Sequence, residues 1–558
     1  MAEVPSGYVA LAGSNRTARP GARLVAPASP AEELTVSVRV RRRPGAPPLP
    51  DISGGGQLVS REEFAEIYGA GEADLEAVAR FGSDHGLAEV ERSTARRTVV
   101  LSGTVRSASD AFKVDLGQYE TSEETYRGRE GVVHVPADLA EVVEGVFGLD
   151  NRRMARRAPV SATPSAGTVP LTPREVAGLF GLSGGGAGQT IGLIEFAGGY
   201  LESDLQAFFG GLNLTTPVVT TVSVGGVTNS PGNDLDADAE VTADIEVAGS
   251  VAVGAQINVY FAAWTEQGWI DVITTAVHHN DSVKLAALSI SWAWLESDSS
   301  NAWSAAGVTA VSDAFAEAGA LGVTVFAGSG DWGSDGGGQH DGIARVLYPA
   351  SDPFVTSCGG TSISNVSGTS FTETTWAPSG GGISTLFDVP EWQANITLPA
   401  SANHDGRVGR GLPDIAGVAS GYSVFISGSA SVVSGTSLVA PFYAGLVAVL
   451  NNTPVGPLGY LNPRLYSWNG TNAFRDIADG VSNAYGGAPG YTSGPGWDAC
   501  TGLGSINAGA FLRVLDPCKS LREDLENLSP GDFRTLAEYQ HAVAYLRQQL
   551  ANCERRYG

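Results

Sequence analysis

The chain has 558 residues, 17% of them charged, with 73 glycines and a formal net charge of −25, which fits a loop-rich globular protein and excludes a coiled coil or a disordered chain. The charge is uneven: residues 158–516 carry 8 Lys/Arg against 30 Asp/Glu, while residues 1–157 carry 20 against 23. So acidic a middle section argues against nucleic acid or anionic membranes as partners, and no apolar run is long enough to span a bilayer.

Residues 1–150 read as an independent α/β unit. Glu33 to Arg41 alternates apolar and polar residues, as a half-buried strand does. Ser60 and Glu63 have capping-box spacing before a helix, and Asp74 to Phe81 is a second helix. Thr98 to Val105 and Val132 to Val135 read as strands, and Ala137 to Val146 as a helix. Residues 151–170 form a linker, basic in Asn151 to Arg157 and then rich in Pro, Ser, Ala and Thr; an exposed basic linker is a ready protease target.

From Thr172 the texture changes. Apolar strands at Thr190–Phe196, Ile257–Ala262, Leu285–Trp292 and Val323–Ala327 alternate with helices at Ala239–Ala248, Trp269–His278 and Val308–Ala320. This rhythm predicts a doubly wound parallel sheet, whose ligands bind beyond the carboxyl ends of the strands. Glu195, Trp292 and Asp331 lie at or just after such ends. Residues 517–558 follow as two helices, Pro517–Asn527 and Asp532–Cys553, around Ser529-Pro530-Gly531. Cys518 and Cys553 fall near the open end of that hairpin and suit a disulfide, with free thiols the alternative. Cys358 and Cys500 lie in apolar or glycine-rich segments and read as buried free thiols.

Three segments carry potential chemistry. In Ser434-Gly435-Thr436-Ser437, before the apolar run Leu438–Leu450, Ser437 is either a nucleophile or a helix cap, and Gly435 is read as supplying a backbone conformation other residues resist. No His-Gly-Thr motif is present to supply a base, and His278-His279 at a helix end reads as solvated. Glu240 and Asp244 lie four apart on one helix face, where they are either a solvated acidic pair or a base and its orienter. Asp331 follows an apolar strand in a glycine loop, as a turn residue or a neutral acid that stabilises an oxyanion.

In their order these segments resemble the sedolisin family, the serine-carboxyl peptidases. The resemblance rests on Ile194–Tyr200, Glu240–Gly249, Ser289–Trp292, Gly330–Gly333, Ser434–Pro441, and Phe474–Ile477 with Gly494–Asp498. It implies a subtilisin-like peptidase domain over 171–516, an N-terminal α+β, ferredoxin-like prodomain over 1–150 acting as chaperone and inhibitor, and a processing site in 151–170. It further implies Ser437 as nucleophile, Glu240 as base, Asp244 as its orienter, Asp331 at the oxyanion, and Glu195 with Trp292 in a proton network. Substrate would lie as a strand along Ser291-Trp292. A structural Ca²⁺ would be held by the side chains of Asp476 and Asp498 and the carbonyls of Ile477, Gly494 and Gly496. Ala293-Trp294 and Trp332 stand where the family has small residues, which alters subsite shape.

The reading is therefore an acid-working, self-processing, monomeric endopeptidase acting on proteins or peptides. It is extracellular by resemblance, although no standard signal peptide is visible in the first residues. The alternatives are an inactive binding protein of the same fold and a neutral or alkaline subtilisin-type protease.

Overall fold

The structure is a computed structural model that describes residues 6–52, 58–157, 169–182, 184–279, 285–296, 303–453 and 456–557. A processing bond within residues 158–168 of the linker lies outside the described residues.

The N-terminal unit is built on four antiparallel strands: β1 (Glu33–Val40), β2 (Ala88–Ser93), β3 (Thr98–Thr104) and β4 (Val143–Phe147), in the order β2-β3-β1-β4. Helices α1 (Arg61–Tyr68) and α2 (Glu72–Asp84) connect β1 to β2, and α3 (Val105–Phe112) follows β3 directly. The β1-α2-β2-β3-α3-β4 succession with that strand order is the expected ferredoxin-like arrangement. Ser60 caps α1, accepting from the Glu63 amide at 3.1 Å.

Two expectations fail here. Ala137 to Val146 is not a helix: Ala137–Leu139 makes one 3₁₀ turn, and Val143–Phe147 is β4, paired with Ser37–Val40. Val143, Val146 and Phe147 are buried against a sheet partner distant in sequence, with Glu144 exposed, and that pairing outweighs local helix propensity. The basic stretch after residue 150 is also only partly exposed, with Asn151 and Arg153 outward. Arg152 is buried, bonded to Asp150 at 2.6 Å, and Met154 is buried with its carbonyl accepting from Trp269 Nε1 at 2.7 Å.

The second unit is organised on a ten-stranded sheet. Its strands include β6 (Thr190–Glu195), β7 (Val219–Ser223), β8 (Gln256–Phe261), β9 (Leu285–Ile290), β11 (Thr324–Gly328), β13 (Thr356–Ser367), β14 (Ile415–Val418), β17 (Phe474–Arg475) and β18 (Ser505–Ile506). Their order is β7-β8-β6-β9-β11-β13-β14-β18-β17, parallel from β7 through β18, with Ser370–Thr375 pairing antiparallel with β13. Helices α4 (Leu235–Val251) and α7 (Val439–Leu450) pack in one apolar layer with strand residues such as Ile191 and Val259. Helices α5 (Glu266–Val277) and α6 (Ala305–Ala320) pack in another, around Trp269 and Trp292. This is the subtilisin-like, doubly wound arrangement.

Two short elements lie outside the main sheet. A three-stranded ribbon pairs β5 (Arg156–Arg157) antiparallel with β10 (Trp292–Leu295), and β10 with β12 (Leu347–Tyr348). The hairpin of β15 (Ser420–Ile426) and β16 (Ser429–Ser434) feeds straight into Gly435.

The C-terminal segment forms two helices, α8 (Lys519–Asn527) and α9 (Leu536–Tyr557), closed by a Cys518–Cys553 disulfide, while Cys358 and Cys500 are buried and free. No described helix is long and apolar enough to cross a membrane.

Candidate active site

The site lies beyond the carboxyl ends of β6, β9 and β11. Helix α4 begins at Asp234, whose side chain accepts from the Ala237 amide at 3.0 Å. The helix is apolar on most of its circumference and is buried almost throughout. Its acids are therefore not on a solvated face: Glu240 is 1% exposed, and Asp244 and Glu246 are 0%. A carboxylate taken from water without a cation is costly, so such groups hold their protons to higher pH. Burial raises Asp244 well above the ordinary carboxyl range, and the charges of Glu195 and Glu240 add to it. Burial likewise raises Glu195, opposed by the hydrogen bond it accepts from Trp292 Nε1 at 2.7 Å.

Ser437 sits in a single 3₁₀ turn, Thr436–Leu438, at the head of α7. It is not a helix cap: neither turn nor helix has a side-chain cap bond. The reason for Gly435 also differs from expectation. Its φ of 167° is extended backbone open to any residue. What it supplies is room, because a Cβ there would lie 2.8 Å from Asp331 Oδ2 and 2.9 Å from Ser437 Oγ. Those two oxygens thus face one another across the glycine.

Asp331 is held by its other oxygen, Oδ1, which accepts from the Thr436 amide at 2.8 Å and the Thr436 hydroxyl at 2.7 Å. Thr436 Oγ1 in turn accepts from the Gly330 amide at 3.0 Å. Burial pushes Asp331 up to about 6, offset in part by the Thr436 bonds. Oδ2 is buried and has no partner among the described residues. Below about pH 6 that oxygen can carry a proton beside the Ser437 hydroxyl and donate it to an oxygen arriving there.

Of the residues singled out around the serine, Asp331 and Ser291 lie against Ser437, Asp244 against Ser291, Trp292 against Glu195, and Glu240 close enough for its charge to act on Glu195 and Asp244. Ser291 does more than was expected of it. Besides lying on the groove edge, its hydroxyl is 2.7 Å from Asp244 Oδ2 and 3.1 Å from the Ser437 carbonyl oxygen. Nothing in the sequence pattern separates that role from the backbone role of a strand residue. The cleft beside Ser437 is lined by Ala293, Trp294, Leu295, Trp332, Gln339 and Leu347, with no charged lining residue among the described residues. Both tryptophans that stand in place of small residues thus form its walls. Glu296, at the end of β10, was not anticipated; it is buried and accepts from the Ser384 hydroxyl at 2.8 Å.

His278 is not solvated. Its side chain is 1% exposed and its Nε2 lies 2.8 Å from Glu317 Oε2. It belongs to the contact between the N-terminal unit and α6. There Arg42 meets Glu317 at 2.8 Å, Arg97 lies 3.5 Å from it, and Arg39 meets Asp313 at 3.1 Å.

The implied cation site has the right kind of donors. Asp476 Oδ2 accepts from the Gly496 amide at 2.8 Å and Asp498 Oδ2 from the Gly494 amide at 3.1 Å, so both carboxylates face the same turn. No cluster of three or more His, Cys, Asp or Glu suited to a metal exists among the described residues, so a cation here would draw on backbone carbonyls. Hard oxygen donors of that mixture fit Ca²⁺.

A serine served by carboxyl groups and no histidine, on a subtilisin-like sheet, is the composition of a serine-carboxyl peptidase. Comparison with known proteins agrees. Residues 20–152 match the family model described as the pro-kumamolisin activation domain. The chain is 40% identical to kumamolisin from a Bacillus species over 539 residues, covering 91% of this chain and 96% of that protein. It is 30% identical to tripeptidyl-peptidase sed5 of Aspergillus fumigatus, over 90% of this chain and 97% of the relative. The solved structure of Pseudomonas sedolisin, a serine-carboxyl proteinase in complex with pseudo-iodotyrostatin, superposes with a TM-score of 0.55 at 28% identity, covering 62% of this chain and 99% of that one. The chain belongs to the sedolisin family of serine-carboxyl peptidases, and it is a peptide hydrolase carrying its own activation domain.

Proposed function

We propose that the protein is an acid-working endopeptidase in which Ser437 attacks the substrate carbonyl, Glu240 takes the serine proton, and Asp244 orients Glu240. Protonated Asp331 donates to the oxyanion through Oδ2. Glu240 returns its proton to the departing amine, leaving an ester on Ser437, and then draws a proton from the water that hydrolyses it. Glu195 and Trp292 extend the proton network behind Glu240. The observation that carries this reading is the pair of oxygens, Asp331 Oδ2 and Ser437 Oγ, facing each other across Gly435.

The acid requirement follows from Asp331: its proton is present below about 6 and lost above, so the oxyanion donor disappears as pH rises. A histidine base would lose its function in the acid range instead. Residues 1–150 serve as inhibitor and folding aid, 171–516 as the peptidase, and 517–558 as an appended helical hairpin. Pairing of Arg156–Arg157 with β10 lays an interior stretch of chain along the groove edge, which favours cleavage within chains over removal of terminal tripeptides. The uncharged cleft walled by Trp294, Leu295, Trp332 and Leu347 favours an apolar side chain next to the scissile bond. We further infer one stabilising Ca²⁺, held by Asp476, Asp498 and the carbonyls of Ile477, Gly494 and Gly496, and a secreted, monomeric enzyme.

The test is incubation of the full chain at about pH 4, where most carboxyls that need their protons have them. Cleavage near residues 151–170, absent in Ser437→Ala, is expected; equal cleavage in Ser437→Ala overturns the reading. A chelator should lower the thermal midpoint at neutral pH, and an unchanged midpoint removes the ion from the description.

A further inference from the structure

Ser437 stands just ahead of the N-cap of α7, Leu438, so its carbonyl lies outside the helix's own ladder of hydrogen bonds. The residue four further on, Pro441, has no N–H to offer it. Ser437 is 7% exposed, and a side-chain donor can serve that carbonyl.

The donor comes from the bend between β9 and β10. Ser291 Oγ lies 3.1 Å from Ser437 O and 2.7 Å from Asp244 Oδ2, and the residue is 9% exposed. A hydroxyl has one hydrogen to give and two lone pairs to receive with. It cannot donate to both oxygens. The two contacts are compatible when Asp244 is the donor to Ser291, and Ser291 the donor to Ser437 O.

We propose that Ser291 is a positioning residue whose hydroxyl relays the hydrogen bond of protonated Asp244 to the Ser437 carbonyl, tying the nucleophile's turn to the carboxyl pair on α4. Burial favours the neutral acid at Asp244 most strongly, the neighbouring carboxyls Glu195 and Glu240 add to it, and the contact with Ser291 opposes it only as the smallest of these influences. Asp244 Oδ1 is buried with no hydrogen-bond partner among the described residues, so Ser291 anchors the carboxyl on the Oδ2 side. When Asp244 ionises, the Ser291 hydrogen turns to the carboxylate and the Ser437 carbonyl loses its donor. The protonation state of α4 is thereby felt at the backbone of the nucleophile.

This rests on Ser437 being the nucleophile, and the experiment separates the two. Full-length Ser291→Ala, Ser291→Cys and Ser437→Ala are prepared beside the parent and assayed at acid pH on an internally quenched peptide, with processing supplied in trans by parent enzyme and thermal midpoints recorded. A thiol fills the space of the hydroxyl but is a weak donor, so both Ser291 variants should lose about tenfold or more in kcat, as removal of an orienting hydrogen bond does, with KM within about twofold. The cysteine variant carries the measurement if the alanine variant does not fold. Parent-like kcat in a folded Ser291 variant, or a loss confined to KM, overturns the positioning role. Activity persisting in Ser437→Ala overturns the underlying catalytic reading instead.

Discussion

Two clusters of buried carboxyls lie within this one molecule, and they have opposite electrostatics. Around Ser437, Glu195 and Asp244 are buried beside Glu240, and Asp331 is buried on Thr436; none of the three forms an ion pair among the described residues, and all three are pushed upward. At the contact between the activation domain and α6, Glu317 is just as buried but is met by Arg42, Arg97 and His278. Hydrogen bonding and charge from His278 and the arginines overcome its burial and hold it well below the usual carboxyl range. Burial alone does not decide what an acid does. Its neighbours decide whether it becomes a proton donor or a permanent anion. The first cluster is suited to acid chemistry, the second to clamping the activation domain's arginines onto the acidic side chains of α6.

The contrast can be broken in four places. The largest effect should come from Glu240→Ala: by analogy with removal of a general base, kcat should fall about 10⁴-fold or more, read by peptide hydrolysis at acid pH. Next is Glu317→Gln. Removing one partner from a buried ion-pair cluster leaves its arginines uncompensated, at a cost of about 3–5 kcal/mol. The full chain should then lose grip on its activation domain, seen as faster self-processing and a lower thermal midpoint. Because Glu317 is depressed, its stabilisation is fully present above the unfolded value near 4.5 and falls away as pH drops toward its low folded value. The wild-type clamp should therefore weaken progressively as pH drops below about 4.5, and the variant should lose that dependence.

Asp331→Asn is subtler. An amide keeps an acceptor for Thr436 and a donor for the oxyanion at every pH. Wild-type activity should fall about tenfold for each pH unit above 6, as the proton leaves Asp331. The asparagine variant should lose that limb of the profile, and retaining it unchanged would remove Asp331 from the oxyanion role. Smallest of all is Glu246→Gln. Burial pushes Glu246 up to about 9, so it is already neutral at neutral and acid pH. The exchange of acid for amide should cost less than about 1 kcal/mol, in contrast to the same exchange at Glu317.

Much of this was legible in the sequence, and the reasons differ by residue. The parallel strands announce themselves because burial on both faces demands continuous apolar runs, as in Thr190–Glu195. The site residues were legible as separated motifs in order. What sequence could not supply was anything decided by a distant partner. Val143–Phe147 became a strand because β1 offered an edge, and His278 was buried because the activation domain brought arginines to Glu317 beside it. The second duty of Ser291 depends on a carbonyl 146 residues away, which Pro441 has no N–H to serve.

Gly435 has a practical use as well. Because any Cβ there would wedge between Asp331 Oδ2 and Ser437 Oγ, Gly435→Ala keeps every acid and the serine while spoiling their spacing. Its extended backbone tolerates alanine without torsional cost. Such a variant would be a chemically complete but idle precursor. It could be purified uncut and used as a reservoir of intact chain against which processing in trans is timed.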